Sequence, residues 1–150
     1  RHTRCSRDWS SDVCSSDLCA VQLLNVLYVP ELVRWKELQN FKKINLPPHG
    51  AGLIGTHLVY LPSYLNVRVL PAHLKHKVSD TVNEFIQQQA GNAEFGSNPY
   101  GKKRWEGLVQ YMNTEDWSHK LPMLQEYLTI TDQQRGTDFR KTFPELMDLF

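Results

Sequence analysis

Three glycines, Gly50, Gly52 and Gly55, fall at the spacing G-x-G-x-x-G. With that pattern a tight loop can bring backbone N–H groups against a dinucleotide pyrophosphate. The chemistry requires a strand directly before the loop and a helix N-terminus directly after it, so that the helix dipole meets the phosphates. Here Pro47-Pro48-His49 precedes the glycines and a β-type run follows them. An acidic residue to hold a ribose should lie about 20 positions on, yet Asp80 is the first carboxylate after Gly55. The glycines therefore read as a flexible loop. His73 and His76 are three apart in a predicted helix, a spacing at which two ligands share a face. No nearby pattern of Cys, Asp or Glu completes the donors of a zinc site, so both are expected to face solvent. His57 opens an apolar run, as either a satisfied core histidine or a pocket wall. Lys102-Lys103-Arg104 reads as the solvated start of a helix, because a phosphate-contact role lacks an aromatic platform or a wider basic patch. Trp35, Trp105 and Trp117 fall at element positions and are expected as buried or half-buried anchors. No Ser-His-Asp, Cys-His or paired-carboxylate arrangement stands out.

The elements that would position these residues are organised around His57–Pro71, HLVYLPSYLNVRVLP. Leu58 to Leu61 is continuously apolar, the pattern of a strand buried on both faces. After Pro62, which cannot donate to a ladder, Leu65, Val67 and Val69 alternate with Asn66 and Arg68 as in a half-buried strand. Upstream, Ala20 to Val29 reads as a buried strand. A helix is expected from Pro30 to Gln39, with Leu32, Val33, Trp35 and Leu38 as its apolar stripe. Phe41 to Gly55 reads as a loop. Strand, helix, strand makes a βαβ unit, with parallel strands and a right-handed crossover. Downstream, Pro71 opens a helix through Gln89, with Leu74, Val78, Val82, Phe85 and Ile86 at helical spacing. Ala90 to Tyr100 reads as a loop. Trp105, Leu108, Val109 and Met112 mark another helix, and Leu121, Leu124 and Leu128 mark a longer one that stops at Gly136. In the tail, Phe139, Phe143, Leu146 and Leu149 are available to dock.

A chain of 150 residues with 41% apolar content and a net charge of +1 is of one-domain size. The balanced charge gives no bulk field for nucleic acid or an anionic membrane. No apolar run approaches the ~20 residues of a membrane span, so a soluble chain is expected. Residues 5 to 18, CSRDWSSDVCSSDL, have no periodicity and are similar to the conceptual translation of a sequencing adapter. Residues 1–19 are therefore set aside as an artefactual or disordered segment, and 20–150 are taken as the domain. Cys5 and Cys14 then drop out, and the three cysteines form neither a disulfide framework nor a metal set. The first residue is not methionine, and a truncated gene is expected.

Three blocks together resemble one family: LNVLYVPELVRW (Leu24 to Trp35), HLVYLPSYLNVRVLP (His57 to Pro71), and EDWSHKLPMLQEY with QQRGTDFRKTFPEL (Glu115 to Leu146). They are similar to the C-terminal third of the twitch/SPASM-type radical S-adenosylmethionine (radical SAM) proteins of bacteria and phages. The resemblance implies an α/β fold. It would be the C-terminal part of a partial (β/α)6 TIM-like barrel, with two or three parallel strands followed by covering α-helices. In that family a 4Fe-4S cluster on a Cys-x3-Cys-x2-Cys loop reductively cleaves S-adenosylmethionine to a 5′-deoxyadenosyl radical. This chain lacks that motif, and Cys19 alone remains outside the adapter-like segment. The resemblance thus implies an enzymatic parent that uses S-adenosylmethionine and the cluster, and a fragment that binds neither alone and is not catalytic by itself. Its partner would be the missing N-terminal part of its own barrel, with neither nucleic acid nor membrane as partner. Such a cluster needs thiolate ligands and a reducing compartment, so the resemblance implies a cytoplasmic location. Late barrel strands line the adenine side of the pocket at their carboxyl ends. Carried over, the wall residues are Asn25 and Leu27 on the first strand and Tyr60, Leu61 and Pro62 on the second, with core or strand-end roles as the alternative. A different class of function, a stand-alone α/β binding or interaction module without redox chemistry, remains the rival.

Overall fold

The computed structural model describes residues 18–39, 54–99 and 101–150, with Leu18 and Glu94 described through their backbone alone. Two short strands, β1 (Leu18–Val21) and β2 (Gly55–Leu58), pair in parallel with Leu18 opposite Gly55 and Val21 opposite Leu58. Helix α1 (Val29–Gln39) lies between them in sequence. The parallel βαβ unit is therefore present, although no third strand joins the sheet among the described residues. Gly50 and Gly52 lie outside the described residues, as does the remainder of the expected loop up to residue 53 and with it the hand of the crossover. Strand β1 begins at Leu18, two residues inside the segment set aside from the fold.

Strand β1 is shorter than expected, and β2 lies earlier than expected. The run Leu58–Leu61 is strand only at Leu58, with Tyr60 and Leu61 exposed rather than buried on both faces, because the Asn66 amide takes the Val59 carbonyl. The run Ala20–Val29 is strand only to Val21. The Asn25 side chain then accepts a hydrogen bond from the Gln22 N–H at 2.8 Å and donates one to the Ala20 carbonyl at 2.8 Å. A short polar side chain that bonds nearby backbone in this way replaces ladder partners and turns the chain. A 3-10 turn over Val26–Tyr28 leads into α1. The alternating stretch after Pro62 is not a strand either. It forms two 3-10 turns, Ser63–Leu65 and Val67–Val69, joined at Asn66. Pro62 enters through a cis peptide bond from Leu61. Asn66 caps the second turn by accepting from the Arg68 N–H at 3.0 Å.

Helix α2 (Ala72–Gln88) starts after Pro71 as expected, and Leu74, Val78, Val82 and Phe85 are buried along it. A short helix, α3 (Ala93–Ser97), interrupts the region expected as loop. Helix α4 (Lys102–Asn113) buries Trp105, Leu108 and Met112 against α2. The Phe85 and Trp105 rings lie 4.6 Å apart between centroids, and Phe95 of α3 meets Phe85 edge-on at 5.7 Å. Gly101 precedes α4 where a Cβ would come within 1.9 Å of the Phe95 carbonyl oxygen, so this junction is built on close backbone approach. Helix α5 (Leu121–Arg135) buries Leu124 and Leu128 and ends at Gly136, whose φ of 64° is the left-handed cap that favours glycine. The tail, with α6 (Phe139–Thr142) and a 3-10 stretch over Pro144–Leu149, buries Phe139, Leu146 and Leu149 on the common core.

The stripe of α1 differs from expectation. Val29, Pro30, Val33 and Lys36 face inward, and Leu32, Trp35 and Leu38 are exposed, Leu38 by 82%. The inward set keeps helical spacing once Lys36 counts as an aliphatic stem. Trp105 is buried and Trp117 half-buried, as expected of anchors, whereas Trp35 is exposed.

Candidate functional site

Asn66 is fully buried, and its amide donates to the Val59 carbonyl at 3.0 Å and to the Tyr111 hydroxyl at 2.9 Å. The chain leaving β2 is thereby tied to the second half of α4. Beside it the Arg68 guanidinium lies 3.9 Å from the Tyr111 ring centroid. That guanidinium donates to the Tyr111 carbonyl at 3.2 Å and the Thr114 hydroxyl at 2.8 Å, and pairs with Glu115 at 2.9 Å. Lys75 of α2 donates to the Glu115 carbonyl at 2.8 Å, and burial pushes its ammonium pKa down. These contacts satisfy the carbonyl end of α4 and fix the helix against the chain after β2.

With α4 held there, its opposite end meets the sheet. Arg104 donates from Nε to the Thr56 carbonyl at 3.0 Å and to the Thr56 hydroxyl at 3.3 Å, with a further bond from its terminal nitrogen to the same carbonyl. Between strand and helix lies an open pocket of about 320 Å³. Val21 and Leu58, the carboxyl-terminal residues of the two strands, line it together with Leu108, and of these three only Leu58 is more than marginally accessible. His57, Tyr60, Lys103 and Arg104 line it with polar groups, and Gly107 leaves the helix side open. Among the described residues, no carboxylate lines it.

The five expected wall residues do not converge. Tyr60 lines the pocket and stacks edge-on against Tyr111 at 5.7 Å. Asn25 holds the turn after β1 with both ends of its amide, and Leu27 is buried in the core. Leu61 is 82% exposed and Pro62 is exposed beside it, neither of them lining this pocket. His57 is exposed at the pocket wall rather than satisfied in the core, and His73 and His76 face solvent as expected. Lys102-Lys103-Arg104 is expected as one solvated face, and all three are exposed. In the structure Lys102 pairs with Glu106 at 3.6 Å, while Lys103 and Arg104 turn to the pocket. A signal was available in Gly107 and Leu108, which repeat the 103–104 positions one helical turn on.

Among the described residues, no three His, Cys, Asp or Glu side chains gather to hold a metal, and no helix is long and apolar enough to cross a membrane. A 4Fe-4S cluster needs several thiolates. The described chain offers Cys19 alone, half-buried and with its thiol pKa pushed up by burial, so these residues do not fit such a cluster. Comparison with family models, curated proteins and solved structures gives no match.

Proposed function

We propose that this chain is the C-terminal wall of a radical SAM barrel, whose cluster and redox chemistry would belong to an upstream part. The observation that supports this reading is the βαβ unit itself. Two parallel strands end at Val21 and Leu58 on a common pocket, where parallel α/β sheets bind their ligands. Each strand also has one edge without a partner among the described residues, suited to further barrel strands. In this reading Tyr60 contributes a wall contact to S-adenosylmethionine, while Asn25 and Leu27 hold the strand end from behind. The test is to read the DNA upstream of Cys19 with long reads that span the adapter-like junction. An in-frame Cys-x3-Cys-x2-Cys loop following a strand pattern is the expected result. A start codon immediately before residue 1, with residues 1–18 as genuine coding sequence, would refute it.

A second reading, a self-contained α/β binding module, is favoured by the continuous buried core that runs from Val21 to Leu149. It requires residues 20–150 to unfold cooperatively and remain monomeric at high concentration. A barrel fragment with open strand edges aggregates or binds a hydrophobic dye instead.

A further inference from the structure

The pocket between β2 and α4 has a charge pattern that the barrel reading does not use. Lys103 and Arg104 stand in the first turn of α4, which contains no acidic residue. Cations at this end of a helix oppose its dipole, and a bound anion would offset both the dipole and the two side chains. Arg104 is already oriented by Thr56, through Nε and one terminal nitrogen. A guanidinium has five N–H donors, so others remain for a ligand. Lys103 makes no ion pair among the described residues, and the nearest acidic neighbour on its helix, Glu106, is held by Lys102. His57 adds a third nitrogen donor from the strand side. Half-buried Leu58 and the exposed Tyr60 ring offer a surface for a small organic body. The volume of about 320 Å³ is at the small end of ligand pockets.

We infer that this pocket binds a small phosphate monoester, with the dianion held by Lys103, Arg104 and His57 and the ester body lying against Tyr60 and the strand ends. A dianion matches two fixed cations with an imidazole beside them, and Arg is well suited to phosphate through paired N–H donors. Gly107 completes the site by leaving open the space that a side chain would fill. A Cβ there meets nothing within 4 Å, so the opening is not needed to relieve a clash. The inference stands on the pocket's own charge and shape; if the chain completes a larger barrel, the monoester and S-adenosylmethionine would compete for Tyr60 and the strand ends.

The test is an amide and arginine-side-chain NMR titration of the full chain with phenyl phosphate, with inorganic phosphate and benzoate as comparisons. Phenyl phosphate should shift the signals of His57, Tyr60, Lys103 and Arg104 together. It should bind about tenfold tighter than inorganic phosphate, because the latter lacks the apolar body. Lys103→Gln should weaken binding by about tenfold by removing one charge-assisted contact. Gly107→Leu should block binding while keeping the folded spectrum, since leucine is the better helix former and has room there. Absence of saturable shifts with phenyl phosphate would overturn the inference, as would binding unchanged in both variants or benzoate binding equally well.

Discussion

Asn66 is the most deeply buried polar side chain among the described residues, and Asn66→Ala measures what it holds together. The wild-type amide makes three hydrogen bonds, to the Val59 carbonyl, the Tyr111 hydroxyl and the Arg68 N–H. Alanine leaves the Val59 carbonyl and the Arg68 N–H without these partners. The Tyr111 hydroxyl, on a half-buried side chain, can turn to water. A buried polar group left unsatisfied costs about 1–3 kcal/mol. Val59 and Arg68 are half-buried, which places each backbone group in the lower part of that range. The expected loss is therefore about 2–4 kcal/mol in total. With a urea dependence of about 2 kcal/mol per molar, the middle of the usual range, the unfolding midpoint should fall by about 1–2 M at unchanged slope. The assay is urea unfolding followed in parallel by far-UV circular dichroism and tryptophan fluorescence. Asn66→Asp is the companion variant. It keeps an acceptor for the Arg68 N–H but turns a carboxylate toward the Val59 carbonyl, which raises its folded-state pKa. That variant should be weak at neutral pH and recover partly on acidification, as the protonated carboxyl regains a donor. A loss below about 0.5 kcal/mol for Asn66→Ala, within the range of ordinary surface substitutions, would refute the reasoning.

Other perturbations test separate parts of the structure. Phe85→Ala removes a fully buried ring that touches both Trp105 and Phe95 and should cost about 3–5 kcal/mol, read by denaturation and by the near-ultraviolet dichroism of Trp105. Gly136→Ala meets no atom, so its cost should be that of the left-handed backbone alone, about 1–2 kcal/mol. Gly101→Ala has no left-handed backbone to strain but must displace the Phe95 carbonyl, and its unfolding midpoint should fall further than that of Gly136→Ala. Tyr28 donates to Glu145 of the tail, and its phenol is pushed up to about 12, first by burial and then by that bond, while the Glu145 carboxyl is held low. A raised phenol pKa means that the stabilisation is intact below the ordinary value of about 10 and is lost as pH rises through about 12. The lowered carboxyl makes the stabilisation present above its ordinary pKa and lost as pH falls below it. The stability difference between wild type and Tyr28→Phe should accordingly be greatest between those limits and vanish at both extremes. Replacing exposed Leu32 and Leu38 by glutamine should change stability by no more than about 0.5 kcal/mol each, as followed by thermal unfolding.

The helices were legible because burial and helical period agree along them. The inward face of α2 is Leu74, Val78, Val82 and Phe85, and the period alone identifies it. Gly136 likewise marks a helix end because its backbone conformation suits few other residues. The sheet was less legible because polar side chains, not apolar ones, set its limits. Asn25 ends β1 and Asn66 turns the chain after β2, each by taking over backbone hydrogen bonds. Composition does not distinguish an asparagine that caps a turn from one that faces solvent in a strand. Alternation of Val67 and Val69 around Arg68 suggested period two, yet Arg68 is half-buried over an aromatic ring rather than directed to water. The candidate site was hidden for a related reason. Its cations and its strand residues are remote in sequence, and their meeting depends on the Asn66 and Arg68 contacts that fix α4. Tyr60 was the one expected wall residue to reach the pocket, because it follows the strand end directly.

The pairing of β1 with β2 has a kinetic consequence. Its partners are distant along the chain, Leu18 against Gly55, whereas the bonds within α2, α4 and α5 join near neighbours. Distant partners must close a long loop before any ladder bond rewards them. The helical layer should therefore assemble first and supply the surface on which the two strands find their register. The same order, reversed, governs opening. Ladder amides such as the Val59 N–H, bonded to the Val21 carbonyl, should exchange with deuterium before those of Val78, Val82 and Phe85. The strand ends at the pocket should thus belong to the less protected of the two layers, and a ligand seated there would slow the exchange of that layer most.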